Sequence, residues 1–298
     1  MAFDFEDDNY ENIFSEAITI NKYTSQGFEF SSDHKTLLMA PKNIIEFEVP
    51  QYVVSIGPSA FKGCKMLERI VLHNSIRNIA KDAFEYCSAL KTFELPSSIK
   101  VLDLSLEGCT LLSSIEIPES VKTIKSFNLR WCKSLKEIKL PESLETVNLY
   151  FTGCTLSSLI IPESVKVIIS LILRDCSSLK EIVFTNIRKV NEDLDLSSTS
   201  ITSLPDNLNV GRDLYLENTP ITKLPDNLNV GRDLYLNNAP ITSLPDNLKV
   251  GGHLDLSHTL ITSLPNNLKV GWNLVLTNTS ITSLPGDLKV GWKVIGLK

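Results

Sequence analysis

Apolar residues recur at fixed places along this chain, in blocks much shorter than a domain. Near the C-terminus, Leu, Ile and Val keep the same positions in five successive blocks of 20 residues. These blocks begin at Ile201, Ile221, Ile241, Ile261 and Ile281. Apolar and other residues alternate over short stretches, which is typical of β-strands, and Pro and Gly mark the turns between them. A period of this length predicts a solenoid, in which each unit buries its apolar face against the next.

A looser repeat fills the first two-thirds of the chain and shares one marker position with the blocks. The marker is a small residue once per unit, 22 or 23 residues apart at first and 20 residues apart later. Its members are Cys64, Cys87, Cys109, Cys132, Cys154, Cys176, Thr199, Thr219, Ala239, Thr259 and Thr279. One register therefore runs from residue 64 to 279, which predicts a single continuous solenoid. The marker cysteines and threonines are interpreted as a structural ladder, and the cysteines as buried free thiols; a redox or metal role is the alternative.

Two families share these patterns. The motif LxLxx(C/T)xI resembles the core of leucine-rich repeats, with Cys or Thr in place of the usual Asn. Long units such as NIAKDAFEYCSALKTFELPSSI resemble BspA-type (Treponema-type) repeats, and the stretch at 28–41 is similar to a segment that often precedes them. The short blocks resemble the bacterial 20-residue class that contains Leu-Pro. The resemblance implies a β-rich fold (α/β class by family): a single curved solenoid with parallel strands, few helices and a protein-binding or adhesion role.

The expected organisation has three parts. An acidic N-terminal segment and cap covers 1–41, BspA-like repeats of 22 or 23 residues cover 42–190, and 20-residue repeats cover 191–298. In the first part we expect a short helix that packs as a cap, with a flexible acidic arm as the alternative. Its residues are Asp8 at the start and Tyr10, Ile13, Phe14 and Ala17 on one face.

Charge and composition exclude several classes of protein. The net charge is −6, and residues 1–20 hold six acids without a Lys or Arg, so the rest has 29 acids against 29 bases. Without a basic stripe, we expect no nucleic-acid partner. No apolar run reaches the roughly 20 residues that span a membrane, and the N-terminus lacks the pattern of a signal peptide. Three localisations stay open. The protein works inside the producing cell, it is exported by a route that needs no signal peptide, or it reaches the cell surface with a signal peptide that has been removed.

The chain shows no sequence pattern of an enzyme. It has no phosphate loop, no GxSxG and no paired-histidine motif, so we expect neither catalysis nor a cofactor. His253, Asp255 and His258 lie close in sequence. Zinc needs three or four convergent ligands, and His258 is expected to face another way, so the pattern favours a solvated strand surface over a metal site.

Differences among the blocks indicate where a partner binds. The stretch ITSLPDNLxVG hardly changes, whereas the second segment of each block varies, and we expect its outward residues to form the recognition surface. Three columns result: Asp195, Tyr215, Tyr235, Asp255 and Val275; Asp193, Asp213, Asp233, His253 and Asn273; and Glu192, Arg212, Arg232, Gly252, Trp272 and Trp292. Tyr, Trp and Arg are common interface anchors, and stacked Asp side chains repel unless a cation or Arg offsets them.

The candidate partner-binding residues are Arg212, Asp213, Tyr215, Arg232, Asp233, Tyr235, His253, Asp255, Trp272 and Trp292. Two alternatives stay open. In the first, duplication copied the segment without any selection for contact with a partner. In the second, the other strand of each unit forms the recognition face, and its outward residues are Glu94, Glu116, Lys139 and Ile160.

The predicted function is a non-catalytic scaffold for a protein of basic or mixed charge, in adhesion, in an effector or in host interaction. The alternative is a structural subunit of a larger assembly, such as a phage particle or cell surface, held through its termini. The sequence stops inside a repeat, and an open strand edge there favours self-association.

Overall fold

Short strands and turns make up nearly all of the described chain. The computed structural model describes residues 18, 20–184, 188–246 and 248–297, in which residues 20–25 are helical. The helix expected after Asp8 lies outside these residues. Strands of the early repeats are β1 (Glu29–Phe30), β2 (Thr36–Met39), β3 (Glu46–Glu48), β4 (Ser55–Ile56), β5 (Arg69–Val71), β6 (Asn78–Ile79), β7 (Thr92–Glu94), β8 (Val101–Ser105), β9 (Ser114–Glu116), β10 (Thr123–Asn128), β11 (Thr146–Tyr150), β12 (Ser158–Ile161), β13 (Val167–Ile172) and β14 (Glu181–Phe184).

Strands of the later repeats are two residues long each. They are β15 (Lys189–Val190), β16 (Leu194–Asp195), β17 (Asn209–Val210), β18 (Leu214–Tyr215), β19 (Asn229–Val230), β20 (Leu234–Tyr235), β21 (Lys249–Val250), β22 (Leu254–Asp255), β23 (Lys269–Val270), β24 (Leu274–Val275), β25 (Lys289–Val290) and β26 (Val294–Ile295). Apart from β1 and β2, which are antiparallel, every pairing among the described strands is parallel. The predicted single solenoid of parallel strands is confirmed.

One sheet of 16 strands runs through most of the solenoid, and we call it the long sheet. It begins with β8, β10, β11 and β13, and then each rung divides into two short strands. Strand β13 pairs with β15 through Ile168 and with β16 through Leu171 and Ile172. From there two parallel ladders continue side by side to the last described repeat.

Glycine lies at the break between the two ladders in every rung but the first divided one, which has Asn191 there. In the repeats from residue 211 onward, Gly follows the Val of the first short strand, and a Cβ there would lie 1.9–2.1 Å from a carbonyl oxygen of the preceding repeat. No other side chain fits at that distance. Members of this column are Gly211, Gly231, Gly251, Gly271 and Gly291.

The opposite side of the solenoid carries separate pairs of strands. β3 pairs with β5, β7 with β9, and β12 with β14. Residues 136–140, in the repeat between β9 and β12, form no strand. This face is therefore interrupted, whereas the long sheet is continuous.

Inward-facing side chains of all repeats form one core. Leu, Ile and Val dominate it, and the early repeats add aromatic pairs such as Phe61 and Phe84, whose ring centroids are 4.9 Å apart and nearly parallel. Burying each large apolar side chain contributes roughly 1.5–3 kcal/mol. Since each repeat supplies only a few such residues, its stability depends on its neighbours.

The marker column lies inside this core. All six cysteines are free and buried. Each thiol donates to a carbonyl of the preceding repeat, at Sγ–O distances from 2.8 Å for Cys176 to 3.7 Å for Cys64. Threonines in the later repeats donate instead within their own repeat, as Thr219 does to the Leu216 carbonyl at 2.7 Å. Burial raises the pKa of the Cys109 thiol to about 12, which keeps it protonated and unreactive near neutral pH.

Candidate functional site

Two tyrosines stack on the outward face of the long sheet. Tyr215 and Tyr235 lie opposite each other in β18 and β20, with ring centroids 5.0 Å apart and ring planes 5° from parallel. Each hydroxyl donates to the aspartate two residues earlier, Tyr215 to Asp213 at 3.3 Å and Tyr235 to Asp233 at 3.2 Å. Both rings are half-buried. Burial and the nearby carboxylate raise the pKa of Tyr235 to about 12.

Asp213 and Asp233 lie on the same face as the tyrosines, as the alternation predicts, but they are buried there. Their side chains are only 3% and 5% exposed. Neighbouring side chains cover them, since each carboxylate accepts the tyrosine hydroxyl two residues later and lies against Arg232. Each also accepts the backbone N–H one repeat later, Asp213 from Asp233 at 3.1 Å and Asp233 from His253 at 2.7 Å.

Arginines offset the repulsion expected between these carboxylates. Arg232 lies between two of them, with Nε 3.2 Å from Asp213 Oδ1 and Nη2 3.8 Å from Asp233 Oδ2. Arg212 makes the matching contact one repeat earlier, with Nε 3.7 Å from Asp193 Oδ1. Both arginines lie at the border between a buried acidic column and solvent.

Three more acids surround the tyrosine stack. Asp195 and Asp255 occupy the rungs before and after it, and Glu217 lies two residues beyond Tyr215 on the same face. Asp195 is buried, although its column was expected to face outward, and accepts the Ser197 N–H at 3.0 Å. Burial raises the pKa of Glu217, and the charges of Asp195 and Asp255 raise it further.

The Glu217 carboxylate is incompletely satisfied. Its Oε2 is buried and has no hydrogen-bond partner among the described residues. Glu217 is absent from the predicted site because the three predicted columns end at the column of Tyr215 and Tyr235. The same alternation, continued by two positions, predicts Glu217 as outward.

The remaining candidates lie toward the later repeats. His253 packs edge-on against Trp272, with ring centroids 5.1 Å apart. Trp272 and Trp292 are 57% and 72% exposed. Neither tryptophan makes a ring contact with the tyrosine stack among the described residues, so these candidates do not form one compact cluster.

The described part of the chain contains no group of three or more His, Cys, Asp or Glu side chains that could hold a metal ion. His258, three residues beyond Asp255, lies beside Asn278, whose Nδ2 is 3.4 Å from a ring nitrogen. No described helix is long and apolar enough to cross a membrane.

The other face, left open as an alternative, has a shallow groove. It follows the strand-free residues 136–140 and includes Glu116, Lys139 and Ile160 in its lining. Glu94 lies outside it, on β7. The four residues proposed for this face are exposed, and three of them line the same groove.

Comparison with known proteins gives a family and a fold. The sequence model described as "BspA type Leucine rich repeat region" matches in six copies, over residues 35–106 and 103–219. No curated protein matches the chain. A leucine-rich repeat protein from Bacteroides ovatus is similar in structure, with 20% identity, 90% of this chain and 88% of that chain covered, and a TM-score of 0.50.

Two further structures match less well. A leucine-rich repeat protein of T. pallidum shares 25% identity over 55% of this chain and 80% of its own, with a TM-score of 0.44. YopM from Yersinia enterocolitica shares 17% identity over 86% of this chain and 69% of its own, with a TM-score of 0.36. The residues matched by the family model exceed half of the chain.

Proposed function

The chain belongs to the BspA-type leucine-rich repeat family, and we propose that it binds another protein through the outward face of its long sheet, at the tyrosine stack. Solenoids of this kind are typically non-catalytic binding scaffolds. The observation that carries the proposal is the half-buried, stacked pair Tyr215 and Tyr235, beside the Glu217 carboxylate, whose buried Oε2 has no partner in the described part of the chain. Rigid tyrosines are frequent anchors of interfaces.

We propose a partner segment of basic or mixed charge. Beside the stack, Asp195 and Asp255 lie close enough for their charges to raise the pKa of Glu217. A Lys or Arg side chain of the partner, placed over this acidic group, would offset the repulsion among the three carboxylates. Arg212 and Arg232, at the border of the same surface, would in turn donate to an acidic residue of the partner. Adhesion, effector or host-interaction settings all fit such a surface.

The first test is capture from a lysate of the producing organism or a host, followed by binding of synthetic peptides of graded net charge. We expect the Tyr215→Ala/Tyr235→Ala double variant to lose the captured partner and the preference for basic peptides. Tyr215→Phe/Tyr235→Phe keeps the stack and should keep most of the binding. Thr222→Ala/Thr242→Ala, on an exposed part of the same repeats away from the stack, is the matched control.

Melting curves must first establish that each variant is folded. Equal binding by the wild type and the double alanine variant would move recognition away from the tyrosine stack. Loss of binding without any dependence on peptide charge would keep the site but contradict the basic partner.

A further inference from the structure

Backbone hydrogen bonds are missing from residues 136–140, the segment without a strand on the face opposite the long sheet. In the preceding repeats of this face, a bond crosses from repeat to repeat at the matching position. The Lys91 N–H donates to the Glu68 carbonyl at 3.1 Å, and the Ser113 N–H donates to the Lys91 carbonyl at 2.9 Å. No such bond reaches Lys136 within the described chain. This stretch of backbone therefore keeps donors and acceptors available for another chain.

The strands on either side of the segment each have an open edge. β9 pairs with β7, and β12 pairs with β14, but neither pairs with residues 136–140. An open edge of this kind can take up an extended segment of another protein, which then adds a strand to the sheet. The interruption therefore offers two strand edges and an unbonded segment to an extended chain.

A groove of about 810 Å³ follows this interruption. Its lining includes Ser114 and Glu116 of β9, residues 137–142, and Ser158 and Ile160 of β12. The groove thus reaches from one open strand edge to the other. Ile160 is 58% exposed and adds an apolar contact to a lining that is otherwise mostly polar at its surface.

The groove is acidic, and we call it the acidic groove. One lysine, Lys139, lines it against four exposed glutamates: Glu116, Glu119, Glu137 and Glu142. None of the four forms an ion pair within the described part of the chain. The Glu119 carboxylate is held in place, because it accepts the Ser143 N–H at 3.2 Å. An excess of unpaired carboxylates favours a partner that carries Lys or Arg.

We propose that the acidic groove binds an extended, basic segment of another protein, which adds a strand beside residues 136–140. Side chains of an extended chain alternate between two faces. Lys or Arg at every second position of the segment would therefore point to the glutamates, while its backbone bonds to the open edge. The tyrosine stack lies on the opposite face and in later repeats, and the proposal does not depend on the function proposed there.

The probe is an acetylated and amidated peptide of four Lys-Val units, and the measurement is amide hydrogen exchange followed by mass spectrometry. The Tyr215→Ala/Tyr235→Ala variant is used, so that peptide bound at the tyrosine stack does not contribute. Amides without a hydrogen bond exchange fast, and a strand that pairs with them slows their exchange. We expect a saturable slowing within residues 136–140.

Two control peptides separate charge from strand pairing. Four Lys-Pro units carry the same charge but lack every second backbone N–H, and they should not slow exchange within residues 136–140. Four Glu-Val units keep the N–H groups but reverse the charge, and they should not bind the acidic groove.

A matched pair of variants tests the glutamates. Glu116→Gln/Glu137→Gln, added to the same background, should weaken binding of the Lys-Val peptide by about fivefold to tenfold, as expected for the loss of two exposed ion pairs. Glu48→Gln/Glu94→Gln removes two exposed glutamates of the same face, on β3 and β7 and outside the groove, and should leave binding unchanged. Melting curves establish that both variants are folded.

Four results would overturn the proposal. The first is unchanged exchange within residues 136–140 up to millimolar Lys-Val peptide. The second is equal slowing by the Lys-Pro peptide, which would indicate attraction of charge without an added strand. The third is full binding by a folded Glu116→Gln/Glu137→Gln variant. The fourth is slowing that rises with protein concentration in the absence of peptide, which would assign the groove to a second copy of this chain.

Discussion

Asp193, Asp213 and Asp233 each accept the backbone N–H that lies one repeat later, at the point where the strand is broken. Asn273 does the same for the N–H of Lys293 at 3.2 Å. What these residues share is a short side chain with an acceptor oxygen, and the negative charge is not common to all. At the scale of the residue, the column is therefore a set of acceptors for buried backbone donors.

This gives a prediction for Asp213. Substitution by Ala leaves the Asp233 N–H buried without an acceptor, and we expect the free energy of unfolding to fall by about 1–3 kcal/mol. Asp213→Asn keeps Oδ1 and should retain most of the stability. Urea denaturation followed by circular dichroism measures both.

Asp103 is the matched control, since it occupies the equivalent position of an early repeat with a half-exposed side chain. Asp103→Ala should change the free energy of unfolding by no more than about 0.5 kcal/mol. If Asp213→Asn were as destabilising as Asp213→Ala, the charge and its pairing with Arg232 would matter more than the acceptor.

Sequence reasoning identified the column of these aspartates but not their burial. Alternation places Asp213 on the same face as Tyr215, and the hydrogen bond between the two side chains agrees with that placement. Asp213 is covered by contacts with the next repeat, from Arg232 and from the Asp233 N–H. The tyrosine pair was therefore accessible to sequence reasoning, whereas the burial of Asp213 required the structure.

At the scale of the element, glycine follows the first short strand of every divided rung from residue 211 onward, whereas the first divided rung has Asn191 there. Turn prediction from sequence noted Gly211 and its equivalents as punctuation. It could not detect the carbonyl oxygen of the preceding repeat, because that contact joins residues 20 positions apart. A separation of 22 residues likewise hid the contacts of Gly108 with Tyr86 and of Gly153 with Trp131.

We expect Gly231→Ala to be strongly destabilising. The added Cβ would lie 2.1 Å from the Gly211 carbonyl oxygen, which is backbone and cannot move without shifting a rung. The predicted loss in free energy of unfolding is about 3 kcal/mol or more. Urea denaturation is the measurement, and far-ultraviolet circular dichroism would report the loss of the strand ladder.

Gly286→Ala serves as its control. A Cβ at Gly286 meets nothing within 4 Å. We expect the change in free energy of unfolding to stay within about 0.5 kcal/mol. Similar losses for both variants would argue against the close approach as the cause, because alanine restricts the unfolded chain and does not by itself destabilise the fold.

At the scale of the whole molecule, one register unites the two kinds of repeat. Sequence reasoning predicted this from the column that runs from Cys64 to Thr279, and the continuous long sheet agrees with it. It could not predict that residues 136–140 lack a strand, because their sequence follows the pattern of the neighbouring repeats. The proposed boundary between repeat types at residue 190 stays a prediction.

Deleting one complete short repeat tests the register. Removal of residues 221–240 joins Pro220 to Ile241, which recreates the Pro-Ile junction found at both ends of the deleted repeat. We expect a folded solenoid with one rung fewer and a lower stability, because one interface between repeats is lost. It should also lose the binding that we propose for the tyrosine stack.

Removal of residues 221–230 is the comparison. It joins half-repeats out of register and should lose cooperative unfolding in urea. If both deletions behaved alike, the stability of the solenoid would not depend on the stacking of whole repeats.

Each rung of the long sheet bonds only to the rungs beside it, and this has a mechanical consequence. A force that pulls the two ends apart loads these bonds along their own direction and releases one rung at a time. Every 20-residue repeat that opens adds at most about 66–72 Å of extended chain. Stretched in this way, the chain lengthens in nearly equal steps of one repeat, and the tyrosine stack is lost only when its own rungs open.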